Sequence, residues 1–356
     1  MRIGIPKEIK PLEGRVALVP DAAAEAVRYG HTVFIQAGAG QASGYNDADY
    51  ERAGVTIVPD AVAVYAQAQL LLKVKEPIAP EFGLLRRDHV LFSFLHLAAE
   101  PVLAMTLKER GLTAIAFETV EEAGRLPLLA PMSDIAGRIA VQVGTTLLHS
   151  PQGGRGLLLG GMPAAARGRV VILGAGEAGG NAAAVAAALG AEVLVFDRSR
   201  AALVRMHALG PNVTALTPYQ ATLTEALRTT DLLIGAVLIP GARAPRLVTR
   251  DMIRGMRPGS VVVDISVDQG GCIETTRPTD YTRPTYVEEG VIHFAVTNMP
   301  GAVPRTASQA LSAALLPFVL RLADDDWASD PGLYSGINVQ AGRIVHKQVA
   351  EALGVI

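Results

Sequence analysis

The chain is poor in cysteine, in charge and in long apolar runs, and each shortage narrows its class. Cys272 is its only cysteine, so no internal disulfide can form, and a reducing compartment fits. The net charge of −2 gives no electrostatic reason to expect binding to nucleic acid or to an anionic membrane. Charged residues make up 19% of the 356 residues and hydrophobic residues 50%, a balance that allows sizeable buried cores and two domains of ordinary size.

Membrane and export signals are also missing from the pattern. The longest strongly apolar uncharged run, 306–320, is too short to cross a bilayer and contains Pro317. Met1 and Arg2 lead into a short apolar strand, whereas a signal peptide needs a longer apolar segment and a small-residue cleavage site. We therefore expect a soluble, cytoplasmic protein.

Glycine, by contrast, is abundant, and its most informative cluster lies in residues 169–199. There, Gly174, Gly176 and Gly179 show the spacing G-x-G-x-x-G, directly after an apolar strand and at the start of an Ala-rich helix. A second strand follows and ends at Asp197, about twenty residues beyond the turn, the spacing of a ribose-binding carboxylate. A Gly-rich surface turn is the simpler alternative, but the strand, helix, strand and acid together favour a dinucleotide site.

Each part of this motif has a physical role. The first glycine permits a tight turn, the second lets the backbone approach a pyrophosphate, and the third lets the helix pack on the strand. The helix N-terminus faces the anion. Asp197 can accept hydrogen bonds from both ribose hydroxyls and would repel a 2′-phosphate, so the predicted cofactor is NAD rather than NADP. Arg198 and Arg200 lie close by in the sequence and are the residues that would soften this preference.

Alternating strands and helices predict an α/β fold of two doubly wound Rossmann-like domains, with a cleft between them and long helices linking them. Residues 1–130, completed by 305–356, are predicted to form the substrate domain, and 131–304 the NAD-binding domain with its leading helix. The predicted strands are 2–6, 31–36, 69–75, 90–95, 112–117, 170–173, 192–196, 212–216, 231–237, 260–266 and 291–297, the last closing the second sheet. The main predicted helices are 21–29 (capped by Asp21), 100–110, 134–148, 200–209, 223–229, a short one capped by Thr249, and 305–322.

Four residues that could do chemistry follow or end predicted strands, where ligands collect in doubly wound sheets. They are Arg15, Lys75, His96 and Asp268. Each has a simpler interpretation. Arg15 could pair with a surface carboxylate, Lys75 could be solvated, His96 could be a core histidine bonded to a carbonyl, and Asp268 could shape a turn. Their position at strand ends favours a functional role over these simpler interpretations, but it does not identify the reaction.

Six segments of the chain resemble the signature blocks of bacterial L-alanine dehydrogenases, in the order of that family. The same fold and several motifs occur in the NAD-binding subunit of proton-translocating nicotinamide nucleotide transhydrogenase. The blocks are PKEIKPLEGRVALVP (6–20), LLLKVKEP (70–77), LFSFLHLAAEP (91–101), PMSDIAGRIAVQ (131–142), VDQGGCIETTRPT (267–279) and TNMPGAVPRT (297–306).

This resemblance implies roles for the four candidates. Arg15 would hold the substrate carboxylate, and Lys75 would contact the substrate and help to polarise its carbonyl. His96 would be an acid/base or substrate-orienting group, with Asp268 as the companion catalytic carboxylate. Which of the two is the base stays open. The family often has tyrosine where this chain has Phe94, so a hydrogen bond from that hydroxyl is absent.

The resemblance also implies the reaction: NAD-dependent, reversible oxidative deamination of L-alanine to pyruvate and ammonia. It implies a homo-oligomer, a hexamer as in the family, and no metal site. A transhydrogenase-type subunit and a non-enzymatic NAD sensor are the alternatives, and selectivity among small amino acids stays open. To the cofactor site predicted at Gly174, Gly176, Gly179 and Asp197, the resemblance adds Ser133, Val237, Leu238, Asn298 and Met299.

Overall fold

The computed structural model describes residues 1–238, 244–324 and 326–355, and no predicted site residue falls in the gaps. The chain forms two compact units, Met1–Met132 with Gly301–Ile356 and Ser133–Pro300. The strands are β1 (Arg2–Ile5), β2 (Thr32–Gln36), β3 (Thr56–Val58), β4 (Leu70–Leu72), β5 (Val90–Ser93), β6 (Thr113–Ala116), β7 (Arg169–Leu173), β8 (Glu192–Phe196), β9 (Val213–Leu216), β10 (Leu232–Gly235), β11 (Val261–Asp264), β12 (Thr285–Glu288), β13 (Val291–Phe294), β14 (Ile337–Gln340) and β15 (Arg343–Ile344).

The helices accompany these strands along the chain. They are α1 (Pro20–Arg28), α2 (Asp47–Arg52), α3 (Ala61–Gln67), α4 (Ala79–Phe82), α5 (Pro101–Arg110), α6 (Ala130–Leu147), α7 (Glu177–Ala188), α8 (Arg200–His207), α9 (Gln220–Leu227), α10 (Arg250–Arg254), α11 (Pro304–Leu322), α12 (Pro331–Ser335) and α13 (Lys347–Leu353). None of the described helices is long and apolar enough to span a membrane.

The sheet of the first unit has the order β15-β14-β6-β5-β4-β1-β2-β3. Strands β1 to β6 pair in parallel, and β14 and β15 add an antiparallel hairpin at one edge. The chain runs outward from β1 to β3 and then returns to β4 on the other side of β1. The direction of winding therefore changes between β1 and β4, the position where doubly wound sheets bind ligands.

The sheet of the second unit has the order β12-β13-β11-β10-β7-β8-β9. Its described pairs are parallel except for β12 with β13. Winding changes between β7 and β10, so the Gly-rich turn after β7 lies at the ligand-binding position. The prediction that residues 291–297 close this sheet is wrong, because β12 pairs antiparallel with β13 and forms the edge.

Both faces of the second sheet are covered, as expected for parallel strands. Val170 and Ile172 pack into one apolar cluster with α7 residues, while Val171 and Leu173, the alternate positions of β7, pack into another. All four are fully buried. The α/β class and the two doubly wound sheets predicted from the sequence are thus confirmed.

The helix starts give one wrong prediction and one correct one. Helix α1 begins at Pro20, preceded by Val19, an apolar side chain that cannot accept a capping hydrogen bond, so Asp21 is not the cap. Proline suits the first helical position because its missing N–H would have no partner there. At α10, the Thr249 hydroxyl accepts a hydrogen bond from the Met252 N–H at 3.3 Å, as predicted.

Candidate functional site

The three glycines of the turn after β7 differ in what surrounds them. Gly174 has φ +95°, and an added Cβ would lie 2.6 Å from the Ala236 carbonyl oxygen. A Cβ on Gly179 would lie 1.8 Å from the Gly174 carbonyl oxygen, so α7 can approach β7 only with glycine there. Apart from Gly176 and its two chain neighbours, no described heavy atom lies within 4 Å of a Cβ built on Gly176, which precedes α7. The turn therefore leaves open space at the N-terminus of that helix.

Asp197 ties the end of β8 to this turn. Its Oδ2 accepts a hydrogen bond from the Ala175 N–H at 2.7 Å, and its Oδ1 accepts one from the Ser199 N–H at 2.7 Å. The side chain of Arg205 donates to the Ala175 carbonyl at 3.4 Å. The half-buried Asp197 carboxylate thus links the Gly-rich turn to the segment after β8.

The segment after β10 carries two further predicted cofactor residues. Val237 is half-buried and Leu238 is 46% exposed. The Ser266 hydroxyl donates a hydrogen bond to the Val237 carbonyl at 2.8 Å. This bond joins the segment after β10 to the segment after the neighbouring strand β11.

Asn298 and Met299 follow β13. Asn298 has a left-handed backbone, with φ 61°, and asparagine tolerates that conformation better than most residues. Met299 is buried, and its carbonyl accepts a hydrogen bond from the Tyr281 hydroxyl at 2.9 Å.

Ser133 is half-buried in the first turns of α6, where the helix packs closely on α7. A Cβ on Gly137 would lie 2.1 Å from the Ala178 carbonyl oxygen. Asp134 accepts a hydrogen bond from the Asn181 side chain at 2.8 Å, and burial raises the pKa of its carboxyl. The close packing fixes Ser133 relative to the helix that follows the Gly-rich turn.

Strand β11 stops at Asp264, two residues before the predicted end, so Asp268 follows the strand at a greater distance than predicted. Asp268 lies in the 3-10 turn Ile265–Gln269 and is exposed. The Asn298 N–H points at its Oδ2 across 3.5 Å, a long contact. The carboxylate is therefore accessible beyond the carboxyl edge of the sheet.

Asp264 organises the turn that carries Asp268, and sequence analysis did not single it out. It is fully buried, and its two oxygens accept hydrogen bonds from the Ser266 N–H at 3.0 Å and the Cys272 N–H at 3.1 Å. Both ends of the turn are thereby held by one carboxylate. Burial raises the pKa of Asp264 to about 6 and also raises the pKa of the Cys272 thiol.

The raised pKa of Asp264 predicts a pH dependence of folding. The folded protein holds this proton more tightly than the unfolded chain, so the contribution of Asp264 to the free energy of unfolding is greatest below about pH 4 and falls as pH rises to about 6. The expected loss is about 3 kcal/mol. The free energy of unfolding of the wild type, minus that of Asp264→Asn, should fall across this window. A difference that stays flat or rises would contradict the assignment.

In the first unit, Arg15 is buried, not on the surface. Its Nε and Nη2 donate to the two oxygens of Glu13, at 2.7 and 2.5 Å, and its Nη1 contacts the Met132 sulfur at 3.1 Å. A cavity of about 220 Å³ borders this ion pair, lined by Arg15, Glu13, Glu8, Lys7 and residues of the loop 38–42. Arg15 therefore does pair with a carboxylate, as the simpler interpretation predicted. The pair borders a cavity, however, from which a ligand could contact it.

Lys75 lies beyond β4, which ends at Leu72 and is shorter than predicted. Glu8 holds this segment, because its Oε1 accepts hydrogen bonds from the Val74 N–H at 2.6 Å and, weakly, from the Lys75 N–H at 3.4 Å. Its Oε2 accepts one from the buried Lys73 ammonium at 3.1 Å. Burial raises the pKa of Glu8. The Lys75 side chain is half-buried.

His96 lies three residues beyond β5, which ends at Ser93, so the predicted strand is again too long. Its side chain is 42% exposed, and the interpretation as a buried core histidine is wrong. The imidazole stacks on Phe94, with the ring centres 5.9 Å apart and the planes at 4°. The backbone of His96 is left-handed, with φ 49°.

Within each unit, the sheet order brings the candidates to one edge. Arg15, Lys75 and His96 follow β1, β4 and β5, which are adjacent in the first sheet. The residues of the second unit follow adjacent strands in the same way. Those after β7, β8, β10, β11 and β13 are the Gly-rich turn, Asp197, Val237, Asp268 and Asn298.

Four carboxylates that were not predicted from the sequence hold these segments by hydrogen bonds: Glu8, Glu13, Glu118 and Asp264. Glu118 and Asp264 carry the signal used for the other candidates, an acid at or just beyond a strand end. Glu8 and Glu13 lie in the loop after β1, beside Arg15 in the sequence. Across the described ranges, no group of three or more His, Cys, Asp or Glu residues could hold a metal ion.

Comparisons with known proteins agree over the whole chain. Residues 4–136 match the family "Alanine dehydrogenase/PNT, N-terminal domain", and residues 140–347 match its C-terminal domain. The alanine dehydrogenase of Halomonas elongata is 50% identical, with 100% of this chain and 97% of the relative covered. That of Mycobacterium tuberculosis (strain H37Rv) is 48% identical over 100% and 97%, and that of Bacillus subtilis 46% over 99% and 95%.

Among solved structures, an alanine dehydrogenase is more similar to this chain than a transhydrogenase is. An L-alanine dehydrogenase structure superimposes with a TM-score of 0.95 and 49% identity, covering 99% of both chains. A transhydrogenase from Sinorhizobium meliloti matches with a TM-score of 0.85 and 29% identity, covering 98% of this chain and 99% of that one.

Proposed function

The chain belongs to the alanine dehydrogenase/PNT family, and we propose that it catalyses the NAD-dependent, reversible oxidative deamination of L-alanine to pyruvate and ammonia. The observation that carries this proposal is the full-length identity of 46–50% to alanine dehydrogenases, against 29% to a transhydrogenase. Arg15, Lys75 and His96 at one sheet edge support it, because a transhydrogenase needs no amino-acid pocket.

We assign the substrate to residues 1–130 with 305–356, and its carboxylate to Arg15. A guanidinium binds a carboxylate through directed, charge-assisted hydrogen bonds, which fixes the orientation of the reacting carbon. Arg15 is already oriented by Glu13, and the adjoining cavity gives a small substrate room to reach it. Lys75 supplies a second cation, which stabilises negative charge developing on the substrate oxygen.

We assign NAD to residues 131–304, and the residues present fit it. The open space at Gly176 lies at the N-terminus of α7, which suits a pyrophosphate, and Asp197 stands at the turn, where a ribose would follow. Val237, Leu238, Asn298, Met299 and Ser133 complete the proposed surface. When bound, NAD accepts the hydride from the alanine Cα.

His96 and Asp268 are the proposed proton-handling groups. The substrate amine must lose a proton before hydride leaves. Water must then lose a proton as it adds to the iminium carbon, and the resulting carbinolamine hydroxyl must lose its proton as the C–N bond breaks and the protonated amine leaves as ammonia. Both side chains are exposed beyond their strands, as such a role requires. Either can be the base that acts on water. From the likeness to the family we further propose that the protein is a cytoplasmic homohexamer. Light scattering would measure the mass of the assembly.

The decisive experiment is a screen of small 2-keto acids for ammonia-dependent NADH oxidation. We expect turnover with pyruvate and ammonium together, and none when either is omitted. Hydride exchange between nucleotides without a keto acid would instead indicate a transhydrogenase-type activity. NAD binding without turnover on any amino or keto acid would indicate a sensor.

Replacing Arg15 tests the carboxylate clamp. A charge-assisted contact contributes roughly 1.5–3 kcal/mol, so Arg15→Ala should raise the KM for pyruvate about ten-fold or more. The KM for NADH should hardly change. Arg15→Lys is the matched control, because it keeps a cation beside the buried Glu13 but loses the planar fork, and it should give a smaller rise. An unchanged pyruvate KM in a folded Arg15→Ala protein would remove Arg15 from the substrate site.

Replacing Asp197 tests the choice of cofactor. Asp197→Ala should weaken NAD binding and narrow the gap between NAD and NADP, because it removes both the ribose acceptor and the charge that repels a 2′-phosphate. Asp197→Asn keeps an oxygen that can accept from the Ala175 N–H, and so separates loss of charge from loosening of the turn. The measurement is kcat/KM with NADH and with NADPH. A wild type that uses both equally would contradict the role of Asp197.

A further inference from the structure

We propose that Glu118 is the positioning residue for His96: its carboxylate holds the backbone of the segment before His96 and faces the Nδ1 side of the imidazole. The inference rests on the function proposed above, since it concerns how His96 is presented for proton transfer. Glu118 lies in the 3-10 turn Phe117–Thr119 directly after β6, the strand next to β5.

The hydrogen bonds of Glu118 converge on the chain segment that carries His96. Its Oε1 accepts from the His96 N–H at 2.6 Å, and its Oε1 and Oε2 lie 3.3 and 3.2 Å from the Leu95 nitrogen, which donates to them. The side chain of Glu118 is 15% exposed, and its bonds to the Leu95 N–H are partly buried, whereas its bond to the His96 N–H lies at the surface. One carboxylate thus orders two consecutive backbone N–H groups beyond the end of β5.

This ordering matters because the backbone of His96 is in a conformation that it would not adopt readily alone. A φ of 49° lies in the left-handed region, which is uncommon for residues other than glycine, although histidine enters it more often than most, and the surrounding contacts fix it there. The hydrogen bonds to Glu118 are such a constraint. The stack of the imidazole on Phe94 fixes the ring plane as well.

The charge of Glu118 also faces the ring itself. The His96 Nδ1 lies 3.8 Å from Oε1, within ion-pair range but too long for a hydrogen bond. A carboxylate on this side favours a proton on Nδ1, which leaves Nε2 on the far side of the ring to exchange protons with a substrate. One side chain therefore both holds the His96 backbone and places a negative charge beside Nδ1.

A second histidine faces the same carboxylate and provides a control. The negative charge of Glu118 acts to raise the pKa of His346, although burial, the larger effect, lowers it. His346 lies at the start of α13 and has no part in the proposed reaction. If Glu118 acts through His96, His346→Gln should leave kcat close to that of the wild type. A large loss of kcat in a folded His346→Gln protein would overturn the proposal that Glu118 acts through His96.

The test is Glu118→Gln, which keeps the shape and an oxygen acceptor but removes the charge, with Glu118→Ala beside it. We expect Glu118→Gln to lower kcat for ammonia-dependent NADH oxidation about 10- to 100-fold, by analogy with the loss of carboxylates that orient metal-binding histidines, and Glu118→Ala to lower it further. The KM values for pyruvate and NADH should change much less. The solvent deuterium isotope effect on kcat should rise, because proton transfer becomes slower relative to the other steps.

The coupling to His96 separates positioning from a structural role. In a His96→Ala background, adding Glu118→Gln should lower kcat by no more than about two-fold, since the residue that it positions is gone. Full multiplication of the two losses would overturn the proposal, as would a Glu118→Gln enzyme with wild-type kcat and isotope effect. Near-normal turnover of His96→Ala alone would instead overturn the role of His96 in the proposed function. Melting temperatures identify variants that fail to fold, and Glu118→Gln remains informative if Glu118→Ala is one of them.

Discussion

Replacing either His96 or Asp268 by alanine is expected to lower kcat at least about 100-fold, the low end for the loss of a general acid or base. Ammonia-dependent NADH oxidation with saturating pyruvate measures it. Each side chain is exposed beyond a strand end, so truncation should remove a reactive group without opening a cavity in a core. The melting temperature of each variant should therefore stay close to that of the wild type.

The double variant is the stronger test. If both residues move protons in one reaction, they act as a unit, and removing both should be little worse than removing the more important one. His96 belongs to the first unit of the chain and Asp268 to the second. Non-additive losses would therefore be functional evidence that both act on one substrate.

The contrary outcomes are distinct. Losses of kcat that simply multiply would mean that His96 and Asp268 act independently. A His96→Ala enzyme with near-normal turnover would remove His96 from the chemistry. NADH binding should survive His96→Ala in every case, because the Gly-rich turn and Asp197 belong to the other unit, and a lost NADH site would point to misfolding.

The central strands of both sheets could be predicted because parallel strands covered on two faces are nearly continuous apolar runs. Strand β8 was predicted with its observed bounds, 192–196. Four strands outside the central parallel sets could not be predicted in the same way. Strand β3 has only three residues and β15 only two, β12 is an antiparallel edge strand, and β14 pairs with β6, which is distant in the sequence. Each of these segments is too short for its hydrophobic pattern to distinguish a strand from a loop.

The same reasoning explains the errors at the site. The apolar runs into Lys75 and His96 continue past the last residues of β4 and β5, so the predicted strands were too long by two or three residues. The sequence still predicted which residues lie near strand ends, and these residues lie together on one edge of a sheet. The partners of these residues could not be predicted. The hydrogen bond from the His96 N–H to Glu118, for example, joins residues 22 apart in the sequence, and it depends on strand pairing that a single sequence does not reveal.

The second large effect is expected at Gly179, where the added methyl of Gly179→Ala would lie 1.8 Å from the Gly174 carbonyl oxygen. That neighbour is backbone and cannot rotate away, so α7 must move off β7. Overpacking of this kind costs typically about 1–3 kcal/mol, and the displaced helix N-terminus should lower NADH affinity more than about 100-fold.

Gly176→Ala is the matched control, because its methyl meets no described heavy atom within 4 Å. The fold should lose less than about 1 kcal/mol of stability, the scale of a change at a helix N-cap. NADH binding should still weaken, about ten-fold, because the methyl enters the space that we assign to the pyrophosphate. Titration of NADH and thermal melting separate the two variants: Gly179→Ala should lose both binding and stability, and Gly176→Ala binding alone. Unchanged NADH affinity in Gly176→Ala would place the dinucleotide elsewhere, even if Gly179→Ala behaves as expected.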